Sequence, residues 1–166
     1  MTRNLHKIPP SPLIKGGAKG GGSHKSFIFL FCIFFLNCSS TSSLTFQTTD
    51  VTLTSTQGRV VVHAETADTA AKRMQGLMNR HELSDNAGMI FIFDTEDLQS
   101  FWMKDTYVAL DMIFISSAHE IVYIEHNTTP LSEATIAPTI PAQYVLEVNA
   151  GFCEAHAIAV GDTAQF

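Results

Sequence analysis

The sequence predicts a mainly β domain: a compact antiparallel sandwich or barrel with one main short helix and a second short C-terminal helix. Three observations lead there. Short strand-like runs follow one another after residue 50, separated by turn residues. Helical spacing occurs in one principal stretch. There is no internal repeat and no strand–helix alternation of the kind that builds a parallel doubly wound sheet.

Each element follows from its local pattern. "VTLTS" and "RVVVHAE" read as strands around a turn at Gln57-Gly58. "ETADTAAKRMQGLMNR" then switches to a helical period, predicting a helix over residues 67–78. Thr66 or Asp68 caps it. Ala70, Ala71, Met74, Leu77 and Met78 form one apolar stripe along it. Gly76 costs about 1 kcal/mol relative to Ala in a helix interior, so it marks close packing or a nearby helix end. The strands "GMIFIF", "FWMK", "LDMIFI", "EIVYIE" and "YVLEVN" follow. Ser116-Ser117 and the Thr/Pro-containing residues 127–141 supply turns and loops. "GFCEAHAIAV" forms a short helix, and Gly161-Asp162 turns the chain into a last strand.

Ahead of this domain the composition changes. Residues 1–23 contain the Pro/Gly-rich "PPSPLIKGGAKGGG", which builds no core and reads as a mis-called start. Residues 24–38 read as an export leader. His24 and Lys25 precede an unbroken apolar run, Phe27 to Leu36, of signal-sequence length. That run is well short of the ~20 residues of a spanning helix. Cys38 occupies the place of a bacterial lipoprotein's lipidated cysteine, although Asn37 replaces the usual small residue before it. Residues 39–49 form a Ser/Thr-rich tether and residues 50–166 a single β-domain. The reading is therefore an extracytoplasmic, cell-envelope protein held to the membrane by a lipid anchor. Ordinary cleavage, giving a soluble periplasmic or secreted protein, and an uncleaved anchor are the alternatives.

Charge narrows the partners. Five of the ten Lys and Arg residues precede Phe27, and all 16 Asp and Glu residues follow Cys38. The part after Cys38 thus carries eleven more acids than bases, a poor match for nucleic acid, whose affinity comes mainly from phosphate neutralisation. Cys153 is the one cysteine beyond Cys38, so that part makes no internal disulfide and no Cys-based zinc cluster. It reads as a small buried residue. Nothing in the sequence calls for a cofactor.

The scarce cations cluster in "RMQGLMNR" and "FWMKDTYVALDMIFI". On a strand alternate residues share a face, so Trp102 and Lys104 point one way and Phe101 and Met103 the other. In "LDMIFI" Asp111 opposes Leu110, Met112 and Phe114. In "YVLEVN" Glu147 opposes Tyr144, Leu146 and Val148. Arg73 and Arg80 flank one side of the helix, provided it reaches Arg80. Arg73, Arg80, Trp102, Lys104, Asp111 and Glu147 are therefore expected to form one polar cluster. It is either a set of buried ion pairs, the cations meeting Asp111, Glu147 or Asp94, or a pocket for a small anionic or sugar ligand. Arg offers a planar donor fork and Trp an apolar face for a ring. Envelope proteins are the other expected class of partner.

Two further readings stay open. Asp111 and Glu147 would serve a small hydrolase as a carboxylate pair. Met74, Met78, Met89, Met103 and Met112, with His63, His81 and His126, would suit a soft cuprous ion. No HxxH, HxxxH or CxxC spacing supports a metal site, and no nucleophile elbow, phosphate loop or Cys-His arrangement is visible. A binding or structural module is favoured over an enzyme.

"RMQGLMNR", "GMIFIF", "FWMKDTYVALDMIFI", "YVLEVNAG" and the closing "VGD" occur in an order and spacing that resemble the family called domain of unknown function 192. The resemblance covers most of residues 50–166. It implies a compact β-sandwich of jelly-roll type, often exported from bacteria and archaea, and no particular activity. Ala157 stands where relatives often carry Gly before the "VGD" turn, which bears on where the second helix ends.

Overall fold

The computed structural model describes residues 44–166; the leader, Cys38 and residues 39–43 of the tether lie outside the described residues. The elements are β1 (Thr48–Ser55), β2 (Gly58–Ala67), α1 (Ala70–Gln75), β3 (Ala87–Asp97), β4 (Leu110–Ile115), β5 (Ile121–Glu125), β6 (Ala142–Asn149), α2 (Phe152–Ala155) and β7 (Thr163–Gln165). The mainly β expectation holds. The strands form one curled, half-barrel sheet in the order β5-β4-β6-β3-β2-β1-β7. β1 already begins inside the segment read as tether.

Two apolar clusters lie on the two faces of the sheet, and strand alternation sorts residues between them. Ile113 and Ile115 of β4 join Val51, Leu53, Val62, Ile90, Leu146, Val148 and, from α2, Phe152 and Cys153. Leu110, Met112 and Phe114 of the same strand join Met89, Phe91, Phe93, Met103 and Val145 on the other. Every residue of β4 is consequently buried, as a strand covered on both faces requires. Phe101 sits edge-on to Phe91 and Phe114, with ring centroids 5.1 and 5.8 Å apart. "FWMK" is not a strand: its strand pairing is the single bridge from Phe101 to Ile136.

The sheet departs from pure antiparallel pairing at one place. β2 and β3 run parallel, with His63 opposite Ala87 and Ala67 opposite Phe91. Parallel neighbours need a crossover of a dozen or more residues. Residues 68–86, with α1, supply it. The sequence reading found no such unit because α1 is short. Gly88 of β3 permits the close approach of its neighbours, since a Cβ there would lie 2.7 Å from the Glu147 carbonyl oxygen and 2.9 Å from Val62 Cγ1.

α1 corrects the helix expectation. It spans six residues and is capped by Thr69, whose Oγ1 accepts from the Lys72 amide at 3.3 Å. It stops at Gly76, whose φ of 46° lies in the region that favours glycine. The apolar stripe does not form. Met74 is 45% exposed, whereas Leu77, past the helix end, is buried. The residue that α1 buries is Arg73. Leu77→Ala should therefore lower stability by about 2–5 kcal/mol. Met74→Ala should stay within about 0.5 kcal/mol of the parent. Chemical denaturation of the two variants side by side checks this, and equal losses would contradict the assignment.

The two ends of the sheet also meet. β7 pairs with β1. Its approach and first residues bond the start of β5 through Ile121 N–H to Asp162 O (2.8 Å), Gly161 N–H to Ile121 O (2.9 Å) and Ala164 N–H to His119 O (2.9 Å).

Candidate functional site

The six residues expected to cluster fall into separate settings. Arg73 is a structural cation. Its Nη1 donates to the carbonyls of Asp68 (3.0 Å) and Ile92 (2.7 Å), and its guanidinium lies 5.2 Å from the Phe93 ring centroid. It ties the start of the crossover to β3. Arg80 makes a two-pronged pair with Glu65 of β2, both bonds 2.6 Å, rather than with Asp111, Glu147 or Asp94. α1 ends before Arg80, so the two arginines share no helix face.

Asp111 and Glu147 lie on opposite faces of the sheet. Glu147 stands opposite Met112 and Met89, and Asp111 opposite Val148. Cross-strand partners share a face. Glu147 thus belongs to the methionine and phenylalanine side, and Asp111 to the side of Ile113 and Val148. A carboxylate pair flanking one substrate is not available to them. Glu147 occupies the middle of a row running Glu65, Met89, Glu147, Met112, Glu125 across five strands. Its outer members are held by Arg80 and by the Tyr123 hydroxyl, which donates to Glu125 at 2.6 Å.

The residues of the copper reading are dispersed as well. Met89, Met103 and Met112 are core residues among phenylalanines. His63 pairs with Asp50 at 2.6 Å, and His81 stacks on Tyr107.

Two groupings remain. The first lies on the connection from β3 to β4. Lys104 Nζ sits 5.4 Å from the Trp102 ring centroid, a cation–π contact. Trp102 Nε1 is buried without a hydrogen-bond partner among the described residues. Five residues on from Trp102, the exposed Tyr107 stacks on His81 with centroids 4.2 Å apart. The Asn79 amide, donating to the Asp105 carbonyl at 2.7 Å, ties the two segments together. The alternation read from "FWMK" is observed here: Phe101 and Met103 are buried, and Trp102 and Lys104 are half-buried.

The second grouping was not legible. Asp111 is fully buried. Its Oδ1 accepts from the Asn127 amide and its Oδ2 from the Cys153 amide, each at 3.0 Å. The Cys153 bond has a clear cause. The residue before α2 is Gly151, which has no side chain to cap it, so the strand carboxylate takes one of the helix's free N–H groups. His126, directly after β5, brings Nδ1 to 3.9 Å from Asp111 Oδ1. Cys153, His126 and Asp111 each place one donor atom within 4.8 Å of the other two. Burial first, and then the neighbouring Asp111, push the Cys153 thiol well above its ordinary value. That is the opposite of an activated nucleophile, which needs a cationic neighbour. A shallow depression of about 200 Å³ lies elsewhere, lined by residues including Arg59, His156 and Ile158. It is below the usual size of a ligand pocket, roughly 300–1,000 Å³.

Comparison with known proteins places these features in a wider group. The profile of the family described as Uncharacterized ACR, domain of unknown function 192, matches residues 51–166. A crystal structure of a protein of unknown function from Novosphingobium aromaticivorans is similar, with a TM-score of 0.71 and 38% identity. The match covers 72% of this chain and 86% of that one. A protein from Sinorhizobium meliloti described as a "putative transcription regulator" is similar at a TM-score of 0.72 and 35% identity, over 74% of this chain and 96% of that one. No curated protein matches.

Proposed function

From its membership of this family, for the chain belongs to domain of unknown function 192, we propose a binding or structural module of the cell envelope. On this reading the chain is lipid-anchored at Cys38 and held off the membrane by its Ser/Thr-rich tether. Its ligand, a small anion or a sugar, is taken by the surface around Trp102 and Lys104. The observation that carries the reading is the Lys104–Trp102 contact. In a domain with few cations, that ammonium meets an aromatic face and, among the described residues, no carboxylate. Five residues on, the Tyr107–His81 stack adds a further flat ring, that of the exposed Tyr107. Cation and ring together suit an anionic sugar, the ring covering its apolar face and the ammonium meeting its charge. The separation of Asp111 from Glu147 leaves the hydrolase reading without its pair. The description of the Sinorhizobium protein is not carried over, because the acid excess of this domain works against phosphate contacts.

Trp102 is the sole tryptophan, so intrinsic fluorescence reports on this surface. Full-length protein in detergent is titrated with sialic acid, N-acetylglucosamine and inorganic phosphate. A saturable spectral change is expected with at least one of them. Lys104→Met should remove it for the anionic compounds while changing stability by no more than about 0.5 kcal/mol. A flat response to all three would overturn the binding reading. Anchoring is tested separately, by mass spectrometry of the membrane fraction. A diacylated mature N-terminus at Cys38 is expected, since one acyl chain holds a protein only marginally. An unmodified mature N-terminus would refute it.

A further inference from the structure

We propose that Asp111, His126 and Cys153 form a binding site for a divalent cation of the zinc type. The three residues come from the start of β4, the position just after β5 and α2, so only the folded sheet brings them together. Their donor atoms, a carboxylate oxygen, an imidazole nitrogen and a thiol sulfur, all lie within 4.8 Å of one another. Zinc takes such ligands at about 2.0–2.3 Å in a tetrahedron, which sets donors sharing one ion about 3.3–3.6 Å apart. The closure needed is small and falls to the exposed member. Asp111 and Cys153 are buried and held by the Cys153 N–H bond, whereas the His126 side chain is 52% exposed.

Charge supports the assignment independently. A buried charge is ordinarily paired or ligates a metal. The fully buried Asp111 carboxylate has no Lys or Arg partner among the described residues. Its contacts are two backbone N–H groups, the Cys153 thiol, which donates to it, and His126 at 3.9 Å. A carboxylate has about four lone-pair sites, so beyond the two amide bonds it can still ligate once the thiol proton has left. The mixed sulfur, nitrogen and oxygen set suits a borderline divalent ion better than a cuprous one, which favours thiolate and thioether ligands. The buried methionines Met89, Met103 and Met112 lie on the other face of the sheet from Cys153. Three protein donors leave the fourth zinc position to solvent, past the exposed His126.

The full-length protein is titrated with cobalt(II), followed by zinc(II). One equivalent of cobalt should bind, the Cys153 thiol releasing its proton to solvent, with a thiolate-to-cobalt charge-transfer band and tetrahedral visible absorption, and zinc should displace it. Cys153→Ser should abolish the band. A band that persists in that variant places the thiolate outside the site and overturns it. His126→Ala replaces an exposed side chain, so the metal-free protein should melt like the parent. Its cobalt affinity should fall at least about tenfold, the low end of the loss seen when even an outer-shell partner is removed. Unchanged affinity in His126→Ala, or no charge-transfer band in the parent, also overturns the proposal. Where Cys153→Ser does not fold, the His126→Ala measurement decides alone.

Discussion

Phe114→Ala should lower the stability of the domain by about 3–5 kcal/mol, the range for removing a buried aromatic side chain. Phe114 is fully buried near the end of β4. Its ring meets Phe101 edge-on at 5.8 Å and Tyr123 at 5.6 Å. Phe101 in turn meets Phe91 and Phe93, so the four phenylalanines share one packed unit spanning β3, β4 and the connection between them. Truncation would open a cavity walled by strands that cannot collapse without breaking sheet hydrogen bonds. Phe114→Leu keeps most of the volume and should cost clearly less. Urea denaturation of both variants is the measurement. Equal losses would mean that volume is not what Phe114 contributes.

Asp111→Ala should cost about 2–4 kcal/mol, measured with a chelator present so that only the metal-free protein is compared. The substitution strands the Cys153 amide, and less completely the Asn127 amide, without an acceptor. Each lost acceptor costs about 1–3 kcal/mol where the donor is buried. Relief from holding a buried carboxylate offsets part of this. Asp111→Asn keeps one acceptor oxygen and should lose about half as much. The effect should also be local, with earlier amide exchange at α2 and at the start of the loop after β5. An Asp111→Ala protein that melts with the parent would show that the carboxylate pins nothing.

The strands were legible because each carries its own signal. "LDMIFI", "GMIFIF" and "YVLEVN" are apolar runs too short for a helix, and the turns at Gln57-Gly58 and Gly161-Asp162 bound their neighbours. The helix was overdrawn for a specific reason. Arg73 counts as polar in any pattern, yet it takes the buried position by satisfying the Ile92 and Asp68 carbonyls and covering Phe93. Met74, counted as apolar, is left outside. The parallel β2–β3 pairing was hidden because pairing direction has no local signature. It is set by a crossover whose helix is only six residues long. For the polar residues, alternation correctly separated the faces within each strand. It could not say which faces of different strands coincide, and that is what sets Asp111 and Glu147 apart. Asp111, His126 and Cys153 meet only through the β4–β5 hairpin and the turn after β6. Their separations in sequence match no ligand spacing.

The bonds that β7 makes at both margins of the sheet bear on how fast the chain folds. β1 cannot gain its second neighbour, nor β5 its support at Ile121, until residues 161–165 are in place. Those partners are among the most distant in sequence that the domain pairs. Topologies dominated by such remote pairings fold slowly, on the millisecond-to-second scale, because the entropy of closing the loop is lost before any contact repays it. Until then β1 and β5 each present an open row of amides and carbonyls, the kind of margin along which unfolded copies associate. The short final strand therefore governs how long the newly made chain stays open, out of proportion to the area it buries.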